Sequence, residues 1–108
     1  MSPETVAYVQ ESEFDTLLSA EEVVVVDFTA TWCGPCRLIS PLMDQLAEEY
    51  KGRVKVVKVD IDNNKPIFKK FGLRSIPAVL IFKNTELLET IVGVSPYEQF
   101  SSAVQKLL

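Results

Sequence analysis

Apolar and polar positions along the chain follow two periods, and the changes of period mark out nine elements. Val6-Ala7-Tyr8-Val9 reads as a short strand. From Glu13 to Ala20, Phe14, Leu17 and Leu18 recur at helical spacing. Val23 to Thr29 is apolar at both parities, so a strand covered on both faces is predicted. From Cys36 to Tyr50, the residues Ile39, Leu42, Met43, Leu46, Ala47 and Tyr50 form one helical stripe, and Gly52 ends it. Val54 to Ile61 is a second valine-rich strand. Ile67, Phe68 and Phe71 mark a short helix stopped at Gly72. Ala78 to Phe82 and Leu87 to Val92 read as strands joined in a hairpin by Lys83-Asn84-Thr85-Glu86. Ser95-Pro96-Tyr97-Glu98 reads as a capping box with proline at the first helical position. Phe100, Ala103, Val104, Leu107 and Leu108 then supply the apolar face of a last helix.

The order is β-α-β-α-β-α-β-β-α. Strand–helix–strand crossovers imply parallel pairing, and the late hairpin adds an antiparallel part. The predicted class is α/β, a mixed sheet between helices. No linker, low-complexity run or internal repeat divides the chain, so residues 1–108 are expected to form one domain.

Composition narrows the chemistry. The balance of 11 basic and 15 acidic residues leaves a net charge of −4, with no basic excess to attract phosphates. Nucleic acid and anionic membrane are therefore poor partners. The absence of histidine removes Ser-His-Asp and Cys-His catalysis and every imidazole-ligated zinc site. The longest uninterrupted apolar run is Val23-Val24-Val25-Val26, far short of a membrane span. Met1-Ser2-Pro3-Glu4-Thr5 carries no export signal, so an intracellular, cytoplasmic location is expected. In a reducing compartment the two cysteines, Cys33 and Cys36, point to catalysis or metal binding rather than to a structural staple.

Trp32-Cys33-Gly34-Pro35-Cys36 lies between a predicted strand and a predicted helix, at a strand's carboxyl end where active groups of open α/β sheets gather. A helix starting at or near Cys33 would turn its unpaired amides and positive dipole end toward that sulfur and lower its pKa. Cys36 follows by one turn, which brings the two Cα atoms within disulfide range. Pro35 suits a first turn, where its missing N–H has no partner to lose. A CxxC pair alone also fits zinc or chance; the strand–loop–helix setting favours reversible thiol–disulfide exchange. Cys33 would attack a disulfide in another protein, and Cys36 would then resolve the mixed disulfide. Cys36 needs a base. With no histidine, Asp27 is the candidate, because burial on a doubly covered strand would raise its pKa. The alternative is a strand-end aspartate that reaches water. Lys58 interrupts the neighbouring valine strand and either pairs with Asp27 across the sheet or snorkels to solvent. Trp32, in the connecting loop, reads as a docking contact. Arg37 either adds positive potential near the thiolate or is a solvated first-turn residue. Pro41 lies inside the long helix in a structural role. Ile76-Pro77 is trans on base rates, since only about 5–6% of X–Pro bonds in folded proteins are cis.

The ordered set Val26-Asp27-Phe28, Ala30, Trp32-Cys33-Gly34-Pro35-Cys36, Pro41, Lys58, Asp60-Ile61-Asp62, Phe71-Gly72, Ile76-Pro77, Phe82-Lys83-Asn84 and Val92-Gly93 resembles the thioredoxin family over essentially the whole chain. Thr29-Ala30-Thr31-Trp32 and Asp60-Ile61-Asp62-Asn63-Asn64-Lys65-Pro66 are most similar to cyanobacterial members. The resemblance implies the thioredoxin fold: a central mixed sheet of about five strands, with a parallel core and a C-terminal antiparallel hairpin, flanked by four helices. It implies Cys33 as nucleophile, Cys36 as resolving thiol and Asp27 as the buried base, with Lys58 beside it. Gly34, Pro35 and Lys58 match positions that tune the redox pair. Trp32, Ile76, Pro77, Val92 and Gly93 match an apolar platform for target proteins, and Pro77 is then cis, against the base rate. No cofactor is implied beyond the Cys33–Cys36 disulfide. The implied partners are disulfide-containing targets and a thioredoxin reductase, fed by NADPH through a flavin or by ferredoxin.

Four positions depart from the family pattern. Thr29 stands where tryptophan is common, and Ser75 and Ala78 flank Ile76-Pro77 where glycine and threonine are common. Thr85 replaces the usual hairpin glycine, and a β-branched residue is poor at positive φ, so a tight primed turn is not expected there. A general protein-disulfide reductase is the leading reading. A thioredoxin-fold binding module and an oxidant or isomerase are the alternatives. The simplest association state is a monomer, with a weak dimer through the Trp32 surface as the alternative.

Overall fold

The computed structural model describes residues 6–108, so the start of the chain before Val6 lies outside the described residues. The elements run β1 (Ala7–Tyr8), α1 (Phe14–Ala20, entered through a 3-10 turn at Glu11–Glu13), β2 (Val23–Thr29) and α2 (Gly34–Glu49). They continue with β3 (Lys55–Asp60), a 3-10 turn at Ile61–Asn63, α3 (Lys65–Lys70), β4 (Ala78–Lys83), β5 (Glu86–Val92) and α4 (Tyr97–Gln105). The five strands form one sheet in the order β1-β3-β2-β4-β5. β3 is parallel to β1 and β2, while β4 is antiparallel to both β2 and β5. The mixed sheet and the four helices match the expected class.

β2 occupies the centre, and its double apolar parity has the predicted cause. Val23 and Val25 enter one core with Ile39, Met43 and Leu46 of α2 and Phe100 and Val104 of α4. Val24, Val26 and Phe28 enter the opposite core, against Phe14 and Leu18 of α1 and Ile67 of α3. That second core is aromatic: Phe14, Phe28, Phe68, Phe71 and Phe82 meet in tilted and edge-on pairs, a favoured arrangement for ring quadrupoles. Helices on both faces cover β2, so Asp27 within it is buried, while Thr29 at its end is partly exposed.

Several local expectations change. The first strand is two residues long. α2 begins at Gly34 with Cys33 as its N-cap, which agrees with the expected start at or near Cys33. α4 is capped by Pro96 in extended conformation without a side-chain cap bond, so Ser95 does not close a capping box; the first turn is held by Gln99 N–H to the Pro96 carbonyl. Leu107 and Leu108 both fall beyond α4; Leu107 still packs against the core, and Leu108 is exposed. The β4–β5 hairpin is a tight two-residue turn after all, with Asn84 at φ 51° and Thr85 at φ 70°. Only this turn class matches the twist of the flanking strands, and Asn84 N–H is anchored on the Glu22 carbonyl at 2.8 Å. Strand pairing overrides the preference of Thr85. The Ile76–Pro77 bond is cis, against the base rate and as the family resemblance implies; an X–Pro isomer in an ordered loop is selected by tertiary context.

Candidate active site

β2 hands the chain to α2 through Ala30-Thr31-Trp32, and the two cysteines sit at that junction. They are bonded to each other, with Cα atoms 5.4 Å apart, inside the usual disulfide range. The Cys36 N–H points at Cys33 Sγ from 3.2 Å. Pro35 at the second helical position has no N–H, so the amide of Cys36 is the one that reaches the cap. A donor aimed at Cys33 Sγ from a helix N-terminus stabilises negative charge there. Both cysteines are buried in a small cluster with Ala30, against which Ile61 and Ile76 pack. Trp32, immediately before them, is 64% exposed.

Asp27 is 1% exposed on β2. Burial pushes its pKa from 3.8 to about 7; Lys58 pulls it down and Asp44 pushes it further up. Its Oδ1 has no hydrogen-bond partner. The aspartate is thus a buried group on the face of β2 that carries Val23 and Val25, the face α2 covers. Lys58 is its register partner on β3. The two do not form an ion pair: among the described residues the sole pair is Lys83 with Glu22. Lys58 Nζ instead donates to Ser40 Oγ on α2 at 2.6 Å and stands 5.9 Å from the centre of the Tyr8 ring. Neither sequence expectation for Lys58, a cross-sheet pair or simple snorkelling, describes this geometry.

The remaining candidates occupy the loop before β4, the end of β5 and the first turn of α2. Ile76 touches the cysteine cluster, and Pro77 is buried beside it. Gly93 N–H donates to the Pro77 carbonyl at 2.8 Å, and Val92, half exposed, pairs with Ala78 across β4–β5. Gly93 has φ 92°, a region that favours glycine. Arg37 Nη2 donates to the Thr31 carbonyl at 3.1 Å and remains exposed, the bland alternative for that residue.

Two residues went unnoticed as individual contributors in the sequence. Asp62 Oδ2 accepts from Trp32 Nε1 at 2.8 Å and so holds the exposed indole. Asn64, 1% exposed, donates from Nδ2 to the Asp60 carbonyl at 2.9 Å and accepts Glu11 N–H on Oδ1 at 2.8 Å. Asp60 Oδ1 in turn accepts Asp62 N–H at 2.9 Å. This clasp ties the loop that carries Asp62 to the 3-10 turn that precedes α1. Only the cluster of turn-forming Asp and Asn residues hinted at it.

A family model described as Thioredoxin matches residues 5–106. Thioredoxin 1 of Nostoc sp. is 41% identical over 103 residues, covering 94% of this chain and 96% of that protein. The chloroplastic M-type thioredoxin of Pisum sativum is 43% identical over 104 residues, covering 95% of this chain and 60% of that protein. The chain belongs to the thioredoxin family. A solved mutant thioredoxin from Halobacterium salinarum superposes with a TM-score of 0.87 at 30% identity, covering 99% of this chain and 95% of that one. Membership assigns the chemistry of the bridged pair: this is a thiol–disulfide oxidoreductase that works by dithiol–disulfide exchange. Thioredoxins act through their own redox-active disulfide. Among the described residues no group of three or more His, Cys, Asp or Glu is placed to hold a metal, and no helix is long and apolar enough to cross a membrane.

Proposed function

We propose that the chain is a general protein-disulfide reductase in which Cys33 attacks and Cys36 resolves. The Cys33 thiolate bonds to one sulfur of a target disulfide, the target S–S bond breaks, and the second target sulfur leaves as thiolate. Asp27 takes the proton from Cys36, the Cys36 sulfur attacks Cys33 Sγ, and the mixed disulfide breaks. Two electrons have then passed to the target, which keeps two thiols, and the chain holds the Cys33–Cys36 disulfide. Gly34 and Pro35 tune the pair by shaping the first turn of α2, and Lys58 tunes it through Asp27. Trp32, Ile76, Pro77, Val92 and Gly93 receive the target chain. The departures at Thr29, Ser75 and Ala78 bear on which targets are preferred.

The observation that carries this reading is the cysteine pair at a helix N-cap, with the Cys36 amide directed at Cys33 Sγ. A thioredoxin reductase, driven by NADPH through a flavin or by ferredoxin, returns the disulfide to the dithiol. The chain then serves as an electron carrier in the cytoplasm, as a monomer of one domain, without a cofactor and without nucleic-acid or membrane partners. The test is reduction of insulin by dithiothreitol, followed by turbidity, with wild type beside Cys33→Ser. Strong acceleration by wild type and none by the variant is expected. No acceleration by folded, reduced wild type would overturn the general-reductase reading in favour of a narrow-target enzyme or a binding module.

A further inference from the structure

Asp27 and Lys58 are opposite each other on adjacent parallel strands, and strands in a sheet run about 4.8 Å apart. Side chains alternate along a strand, so Asp27 shares a face with Val25 and Lys58 shares one with Val56. Val25 and Val56 both belong to the core under α2, which puts the carboxyl and the ammonium on the same side of the sheet. Opposite charges placed this way in a buried setting ordinarily pair. Here the ammonium turns to Ser40 Oγ and the Tyr8 ring, and Asp27 Oδ1 is left unpartnered. Ser40 stands one turn after Cys36 and one turn before Asp44 on α2, so one stripe of that helix carries the second cysteine, the hydroxyl and the carboxylate.

We propose that Ser40 is a positioning residue whose hydroxyl holds the Lys58 ammonium against α2 and Tyr8, leaving the buried Asp27 carboxyl without a direct counter-ion. The inference rests on the reading of Asp27 as the base for Cys36 and names what keeps it suited to that task. The charged groups that act on Asp27 are Lys58 from β3 and Asp44 from α2; its β4 neighbour, Val79, is apolar. Burial and Asp44 raise the Asp27 pKa, and Lys58 is the one influence that lowers it. Bringing Lys58 closer would strengthen only that lowering and would leave a weaker base. A carboxylate in direct contact with a cation drops by about one to three pH units.

The test is a carbon-13 NMR titration of the Asp27 side-chain carboxyl in the bridged protein, where neither cysteine titrates. Wild type, Ser40→Ala, Ser40→Thr and Lys58→Met are compared, alone and with Ser40→Ala added to Lys58→Met. Alanine is the best helix former, so Ser40→Ala is expected to fold. The expected midpoint falls by about one pH unit in Ser40→Ala, toward the value of a paired carboxylate. It stays with wild type in Ser40→Thr, which keeps the hydroxyl. In the Lys58→Met background, Ser40→Ala should have no further effect. A Ser40→Ala midpoint equal to wild type overturns the proposal. So does an equal shift with and without Lys58, which would assign the effect to packing. The pH profile of mixed-disulfide resolution is read in parallel. A moved midpoint with an unmoved rate profile supports the positioning role and refutes Asp27 as base. An unmoved midpoint refutes the positioning role, and the loss of the rate profile in Asp27→Asn still decides the base.

Discussion

Asp27→Asn separates the stability cost of the buried carboxyl from its chemistry. Asp27 titrates near 3.8 when solvated and at about 7 in the fold, because burial disfavours its charged form. The sign is the reverse of the usual aspartate case. Below about pH 4 the proton is bound in both folded and unfolded chains, and the group adds no pH-dependent cost. Between about pH 4 and pH 7 the folded chain holds a proton that the unfolded chain has lost, so raising the pH favours unfolding. Above about pH 7 the full cost of the buried carboxylate is present. A difference of roughly three pH units, at about 1.4 kcal/mol for each, amounts to about 4 kcal/mol. The asparagine amide brings its own hydrogen-bond demand, but that offset does not change with pH. Urea unfolding of the bridged forms should therefore show the variant gaining on wild type by up to about 4 kcal/mol between about pH 4 and pH 8. Half that swing would move Tm by about 8 °C in a domain of this size. A gap that stays flat with pH would mean that Asp27 ionises in the fold as it does in water, and would refute the reasoning.

Three further substitutions test particular contacts. Asp62→Ala frees the indole of Trp32, the chain's single tryptophan, which Asp62 holds at 2.8 Å. Loss of about 1 kcal/mol of positioning should raise KM for insulin about fivefold with kcat nearly unchanged, and should shift tryptophan emission to the red. Asn64→Ala leaves Glu11 N–H and the Asp60 carbonyl without their buried partner; urea unfolding should show a loss of about 2 to 3 kcal/mol. Thr85→Gly places glycine at φ 70° in the hairpin turn, and thermal unfolding should show a gain of about 1 kcal/mol.

Patterning along the chain determined a great deal here. The nine elements appear in the predicted order, and the two apolar parities of Val23 to Thr29 announced a strand with helices on both sides. That parity also made Asp27 stand out as a candidate buried carboxyl, and the fold decided between burial and a strand end that reaches water. The position of Cys33 and Cys36 between strand and helix was legible for a similar reason: spacing by one turn and a proline in the first turn are local properties. The boundaries moved by a residue or two where the cap geometry, rather than the apolar period, decides where a helix starts, as at Ser95-Pro96.

What local pattern does not contain is which polar atoms meet. Lys58 and Asp27 lie 31 positions apart in the chain, and only the parallel register of β2 on β3 sets them opposite each other. Ser40 then decides where the ammonium goes, because α2 crosses that face of the sheet. Asp62 reaches Trp32, Asn64 reaches Glu11, and Ile76 reaches the cysteine cluster by the same kind of long-range meeting. The hairpin shows the opposing preferences most plainly: Thr85 resists positive φ by about 1 to 2 kcal/mol, and the paired strands on either side impose it. Sequence alone determined the periods, the buried faces and the reactive pair, because each depends on residues within one turn or one strand. Tertiary structure decided the charged neighbours of Asp27 and the partners of Lys58 and Trp32, because hydrogen bonds and charges act over a few ångströms and only the fold brings distant residues that close.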